Sequence, residues 1–393
     1  MISVVEAQAK LLALASPLPA QTIPAAAAAG RYLASTLAAK RNQPSANLSA
    51  MDGYAVRSAE WPGPWRIVGE SAAGKPFAGP LGPGEAVRIF TGAYVPDGAD
   101  CILIQEDTHR TGDNVKAQAT DAIGAGRFIR CAGEDFRSGD DVLQKGTQLR
   151  AGQLALAVAA GHGLVPAGGV PRIRLMASGD ELVAPGLPCG DGQIPSSNSI
   201  MLQAMLADLP CEVIDHDIVP DKLEALEKCL GEMSHDADII LTTGGVSVGD
   251  HDLIRPALNN MGATIDFWKV AMRPGKPIMA GRLGDAIVLG LPGNPASAFV
   301  TGLLFLLPLV RHLAGCGKPL PEIHEATTAT DLPAVGERAQ FARAYVENGI
   351  ITAYAQQDSG LIHPLAACNA LLMQEAGCPS RPAGTRVKYL SVP

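Results

Sequence analysis

The stretch from Pro171 to Leu313 constrains the fold more than any other part of the chain. Arg172–Ala177 reads as a strand running into Ser178-Gly179-Asp180. Asn198–Asp208 reads as a helix, Cys211–Ile218 as a strand and Lys222–Met233 as an amphipathic helix. Ala237–Leu241 is an apolar strand entering Thr242-Thr243-Gly244-Gly245, and Leu253–Asn260 is helical. Ala286–Leu289 is a strand entering Gly290-Leu291-Pro292-Gly293-Asn294-Pro295, and a buried helix follows it. Strands alternating with helices imply a mostly parallel sheet with helices on both faces. Such sheets bind ligands in the loops that follow the carboxyl ends of their strands.

Three such loops carry chemistry: Ser178-Gly179-Asp180-Glu181-Leu182, Gly244 to Asp252, and Pro292-Gly293-Asn294-Pro295. A glycine-rich loop before a helix exposes N–H groups and lets an anion approach closely. The second loop adds Ser247 and the carboxylates of Asp250 and Asp252. The combination suits a phosphate-bearing ligand with a divalent cation. It is neither a Walker A loop nor a G-x-G-x-x-G fingerprint. Lys269, Arg273 and Lys276 place three cations within eight residues, the last two flanking a Pro-Gly turn. In an acidic chain that cluster points to an anion site. Asp52-Gly53-Tyr54, Thr91-Gly92 and Gly133-Glu134-Asp135 are polar turns and carry little weight on physical grounds alone. Asp215-His216-Asp217 looks like a metal triplet, but on a strand His216 faces away from both aspartates, so it reads as structural.

The flanks have a different texture. The first 45 or so residues read as helices, Ser3–Leu14 with a Ser3 N-cap and Ala25–Ala39 opening after Pro24. From Asn47 to Arg130, short apolar runs between Gly/Pro turns predict a small sheet or barrel, and a helix follows near Gln153–Ala160. Beyond Pro319, runs at Gln340–Glu347, Ile350–Ala355, Ala370–Glu375 and Arg386–Val392 predict a small β-barrel or sandwich. A length of 393 residues suits about two to three domains. A net charge of −8 shows no basic footprint for nucleic acid. The N-terminus lacks the pattern of a signal peptide. Ala296–Val310, 15 residues, falls short of the ~18–20 that span a bilayer, so a buried helix is expected and no membrane partner. Eight cysteines without a C-x-x-C pair suggest reduced core thiols in a cytoplasmic protein.

Taken in order, these motifs resemble the MoeA family of molybdopterin molybdenumtransferases and the gephyrin E domain. The match rests on Met51-Asp52-Gly53-Tyr54-Ala55, Ile89-Phe90-Thr91-Gly92-Ala93, Val95 to Asp100 with Gln105-Glu106, and Gly133-Glu134-Asp135. It extends through Ser178 to Leu182, Ser197-Asn198-Ser199, Gly244 to Asp250, Arg273 to Pro277, and Leu291 to Pro295. It therefore covers essentially the whole chain.

The resemblance implies a multidomain α/β protein. Residues 1–45 and 131–168 would form an N-terminal helical and linker domain, and 46–130 an inserted β domain. Residues 169–316 would form a three-layer, MogA-like molybdopterin-binding domain, and 317–393 a C-terminal β-barrel. It further implies an elongated homodimer with its site between subunits. The implied reaction takes adenylylated molybdopterin and molybdate, with Mg²⁺, and releases AMP. Asp52, Thr91, Asp135, Glu181, Asp221 and Asp252 match positions the family uses for activity. Ser178, Gly179, Asp180, Gly244, Gly245 and Ser247 would hold the pterin phosphate or adenylate. Lys269, Arg273 and Lys276 would bind molybdate or phosphate. Pro292, Asn294 and Pro295 would shape the molybdate-side loop, and Ser359 would reach in from the barrel. Asp250 and Asp252 would be Mg²⁺ ligands. Expected partners are a MogA-like molybdopterin adenylyltransferase and molybdoenzyme maturation factors. Three details depart from the family pattern: Arg273 stands where Lys is usual, Ser178 where Thr is common, and Asp358 where a small residue precedes Ser-Gly. The alternatives are a molybdopterin adenylyltransferase and a non-enzymatic molybdopterin-binding scaffold.

Overall fold

The computed structural model describes residues 1–119, 121–245 and 253–392. Its central sheet has six strands, in the order 212–219, 172–178, 239–243, 286–291, 279–283, 264–268. The first four are parallel, as the strand–helix alternation predicts. Strand 279–283 runs antiparallel to both its neighbours, 286–291 and 264–268, and this pair lies outside that prediction. The basic stretch 269–278 is the connection between them. Gly281 allows this edge to pair, because a Cβ there would lie 2.1 Å from the Thr264 carbonyl oxygen.

Side chains along the central strands alternate between two cores. Ile173, Leu175, Ile239 and Leu241 face one core, which the helices at 198–206 and 295–313 cover. Met176, Ile240 and Val288 face the other, covered by the helices at 223–234 and 254–260. The sheet therefore sits between two helical layers, and its carboxyl edge is left for the loops.

The helix Pro295–Leu313 is 19 residues long, longer than the sequence suggested, and 89% of its apolar window is buried. It passes through a π-helical turn at Gly302–Leu306. Pro308 has no N–H to give to the Leu304 carbonyl four residues back. Gln8 takes its place, donating from Nε2 to Leu304 O at 2.9 Å. The N-terminal helix Val4–Ala13, capped by Ser3, is thereby pinned to the α/β core, where Ala7 and Leu11 are buried.

The helix expected over Ala25–Ala39 is absent. One turn, Ala25–Ala27, follows a strand at Gln21–Pro24 that pairs with Leu164–Ala167. Gly30 then takes a left-handed conformation (φ 78°). Ala28, Leu33 and Leu37 are buried against Leu149, Ala157 and Val165 from the returning chain. Non-local pairing and burial override the helix propensity of the alanines.

Residues 53–56, 65–71, 85–89, 101–104, 108–111 and 114–117 form a six-stranded sheet, as the turn-rich sequence predicts. The C-terminal strands 323–328, 339–347, 350–353, 370–374 and 386–391 close on themselves, with 370–374 pairing back to 339–347. The first of these strands was not anticipated. Met272–Arg273 pairs in parallel with Ala339–Gln340, which fastens the basic connection to the barrel.

Candidate active site

The loops that leave the carboxyl edge converge, with the barrel, on a cavity of about 630 Å³. Ser178, Gly244-Gly245 and Pro292 to Pro295 supply its sheet side. Arg273 to Pro277 come from the basic connection, and Arg338 and Gln357 to Ser359 from the barrel. Glu181 and Asp221 also line it. Most of the residues singled out in the α/β sequence are thus brought together from separate segments.

Backbone geometry explains the glycines. Gly244 has φ 91°, and a Cβ there would lie 2.2 Å from the Ser178 carbonyl oxygen. Only glycine lets these two loops touch. The Ser178 hydroxyl donates to Asp221 Oδ1. The Asp221 N–H in turn donates to Asp180 Oδ1 at 3.1 Å, so Asp180 positions a cavity carboxylate.

The barrel wall is held from two directions. Asn294 Nδ2 donates to Ser359 Oγ at 3.1 Å, and the Ala296 N–H to Ser359 O at 3.2 Å. Behind that wall lies Arg343, fully buried on strand 339–347. Its guanidinium donates to the carbonyls of Leu361 at 2.7 Å, Asp358 at 2.8 Å and Gln356 at 3.3 Å. Burial pulls its pKa down. Arg343 thus shapes the 356–361 loop, and its charge sits behind the cavity wall.

Two residues at the site were not singled out as site residues by the sequence. Arg338 follows Gly336-Glu337 in an irregular segment, and only the Met272–Ala339 pairing brings it to the cavity. Asn198 is buried beneath the Pro292 loop; the Ser197-Asn198-Ser199 motif carried it in the sequence as part of the resemblance, with no role attached.

Other expected site residues lie elsewhere. Lys269 is on the basic connection, with its N–H donating to Ile278 O at 3.1 Å, but it does not line the cavity. Asp52, Thr91 and Asp135 do not line it either. Asp52 Oδ1 accepts from the Thr91 N–H at 2.7 Å and the Thr91 hydroxyl at 2.8 Å. These donors hold the Asp52 carboxyl below its ordinary pKa, helped by the Arg88 charge. Arg88 is itself stacked over Tyr54 and Phe90, 5.1 and 4.8 Å from the ring centroids. The Asp135 N–H donates to Gln43 O at 3.0 Å. Ser247, Asp250 and Asp252 lie outside the described residues.

Asp215-His216-Asp217 lies on a distorted strand where Asp217 has φ 61°. Asp215 accepts from Gln203 Nε2 at 2.9 Å and from the Asp217 N–H at 3.0 Å, a structural arrangement. Among the described residues, no three His, Cys, Asp or Glu side chains are grouped as a metal site.

Three family models match in chain order. Residues 2–161 match the MoeA N-terminal region (domain I and II), 174–312 a probable molybdopterin binding domain, and 325–392 the MoeA C-terminal region (domain IV). A molybdopterin molybdenumtransferase from Haemophilus influenzae is 36% identical over 351 residues, 88% of this chain and 86% of that protein. The chain belongs to the MoeA family. A second molybdopterin molybdenumtransferase, from Nostoc sp., is 34% identical across 93% of this chain and 87% of its own length. The crystal structure of a molybdopterin biosynthesis moeA protein from Pyrococcus horikoshii, 26% identical, matches all of both chains with a TM-score of 0.86. MoeA architecture thus accounts for the α/β domain, the β sheet inserted ahead of it and the closed C-terminal barrel together.

Proposed function

We propose that this chain is a molybdopterin molybdenumtransferase of molybdenum cofactor biosynthesis. It takes adenylylated molybdopterin and molybdate, releases AMP and leaves molybdenum on the dithiolene sulfurs. The observation that carries this reading is the cavity itself: glycine loops, cations and carboxylates meet at the carboxyl edge of the sheet in a chain of MoeA architecture.

Each part of the cavity suits one part of that chemistry. Gly244 and Gly245 leave room for a phosphate to approach main chain. Arg273, Lys276 and Arg338 supply the donors that an oxyanion needs, and the two arginines offer forked, two-point contacts. The Ser178 hydroxyl and the Asp180-braced main chain orient the Asp221 carboxylate. The barrel residues Gln357 to Ser359 close the side opposite the sheet.

Glu181 and Asp221 offer the hard oxygen donors that Mg²⁺ takes, and Mg²⁺ is commonly held by one or two carboxylates plus substrate phosphate. Asp250 and Asp252 would join that donor set. When bound, the ion would neutralise the phosphoanhydride.

Asp52, Thr91 and Asp135 are polar, ordered and away from their own chain's cavity. We place them in the cavity of a second copy, so that the working unit is a homodimer. Delivery of substrate would come from a MogA-like adenylyltransferase and use of product from molybdoenzyme maturation factors, all in the cytoplasm.

The test is AMP release from adenylylated molybdopterin with Mg²⁺, with and without molybdate, in wild type and Asp221→Ala. Molybdate-dependent release that the variant loses by about 100-fold or more is the expected result. Tight molybdopterin binding without AMP release would overturn the transferase reading in favour of a scaffold. Formation of adenylylated molybdopterin from ATP would make the chain an adenylyltransferase.

A further inference from the structure

One further residue is tied to this site by its hydrogen bonds, and the inference rests on the transferase reading above. Asn198 opens the helix Asn198–Leu206 and is 9% exposed. Its Nδ2 donates to Thr243 Oγ1 at 2.9 Å and to the Gly293 carbonyl at 2.7 Å. The Thr243 hydroxyl donates onward to the Pro292 carbonyl at 3.3 Å. Two consecutive carbonyls of the cavity loop are therefore drawn toward the protein interior.

That orientation fixes the other side of the same peptide groups. The Pro292–Gly293 and Gly293–Asn294 bonds are trans. In a trans peptide the N–H points opposite to the C=O. The N–H groups of Gly293 and Asn294 therefore point away from Asn198, and both residues line the cavity. Among the main-chain hydrogen bonds of the described residues, neither N–H is donated. Adjacent N–H groups aimed at one point make a receptor for an oxyanion.

We propose that Asn198 is a positioning residue whose amide aims the Gly293 and Asn294 N–H groups at a tetrahedral oxyanion in the cavity. The oxyanion is molybdate or the phosphate of molybdopterin, which share this chemistry. The residue type follows from the task. One nitrogen must donate to two acceptors, which a hydroxyl or a carboxylate does not do. The amide oxygen of Asn198 has no partner among the described residues, so this side chain serves as a donor.

Asn198→Asp keeps the shape and removes both donated bonds. Two readouts are needed: the KM for molybdate in the AMP-release assay, and the Kd for molybdopterin by calorimetry. Thermal unfolding checks that the variant is folded. A rise of about tenfold in either constant is expected. A change confined to the molybdate KM assigns the N–H pair to molybdate, and one confined to the molybdopterin Kd assigns it to the phosphate. Thr243→Val gives a smaller rise in the same constant, Thr243→Ser recovers it, and the double variant is no worse than Asn198→Asp alone. A folded Asn198→Asp with both constants at wild-type values overturns the proposal. Should Asn198→Asp not fold, equal constants in Thr243→Val and Thr243→Ser overturn it instead. Should wild type itself show no molybdate-dependent AMP release, the transferase reading falls. Calorimetry with inorganic molybdate alone, on wild type against Asn198→Asp, then decides the N–H pair separately.

Discussion

The sheet-edge cavity and the Asp52–Thr91 corner both carry residues marked for chemistry, and they are built in opposite ways. At the cavity, main chain is clamped to main chain: Gly244 lies against Ser178, the barrel is stitched through Ser359, and Arg343 gathers three carbonyls. At the corner, an exposed carboxylate holds a single turn through two donors of Thr91. The cavity brings polar groups from six segments together within one chain. The corner presents a preset carboxylate at an exposed surface, outside the lining of that cavity. A site made of loops needs rigid backbone contacts, whereas a residue offered to another surface needs only its own rotamer and charge state set.

Three experiments break or sharpen this contrast. The largest effect is expected for Gly244→Ala. The new Cβ meets Ser178 O, and the left-handed backbone penalises any side chain, so stability falls by about 1–3 kcal/mol. The loops also move apart, and AMP release falls by about 100-fold or more. Chemical denaturation and the activity assay read the two losses. Near-wild-type values would mean that the loop contact does not build the site.

Next is a mixing experiment between the two regions. Asp52→Ala and Asp221→Ala are each expected to be inactive alone. Refolded together, they are expected to form mixed dimers in which one composite site is intact, so that activity returns. Absence of recovery in verified mixed dimers would separate the corner from the cavity and remove the shared-site assignment.

The smallest effect concerns pH. The Thr91 donors depress the Asp52 pKa, so their stabilising contribution is present above the ordinary carboxylate range. It is lost as pH falls through the depressed value. Thr91→Val removes the hydroxyl donor and leaves the amide, so the Asp52 carboxyl titrates at a higher pH than in wild type. Carbon-13 NMR of the aspartate carboxyls reads this shift. An unchanged Asp52 titration would mean that the amide alone sets its charge state.

The central domain was the most legible part of the chain because its strands are continuous apolar runs followed by glycine-rich turns. Ile239-Ile240-Leu241 before Gly244-Gly245 is visible without any partner. The strands 264–268 and 279–283 were not visible, since the basic stretch between them read as a turn. The alanine run at 25–39 was misread because alanine favours a helix only where no partner strand claims the chain. The marked residues of the cavity were legible as motifs, but Arg338 was not. An arginine in an irregular segment carries no local sign of the strand pairing that delivers it.

By itself, then, the sequence determined the parallel core, the β-rich flanks, the glycine loops and the family, because these follow from local periodicity, turn chemistry and motif order. Tertiary structure alone decided which polar groups meet. Ser178, Arg273, Arg338 and Ser359 are separated by up to 181 residues along the chain and become neighbours only through sheet order and barrel docking. It also decided which peptide groups face the cavity. The direction of a carbonyl is set by the donor that reaches it, and for Gly293 that donor is a side chain 95 residues away.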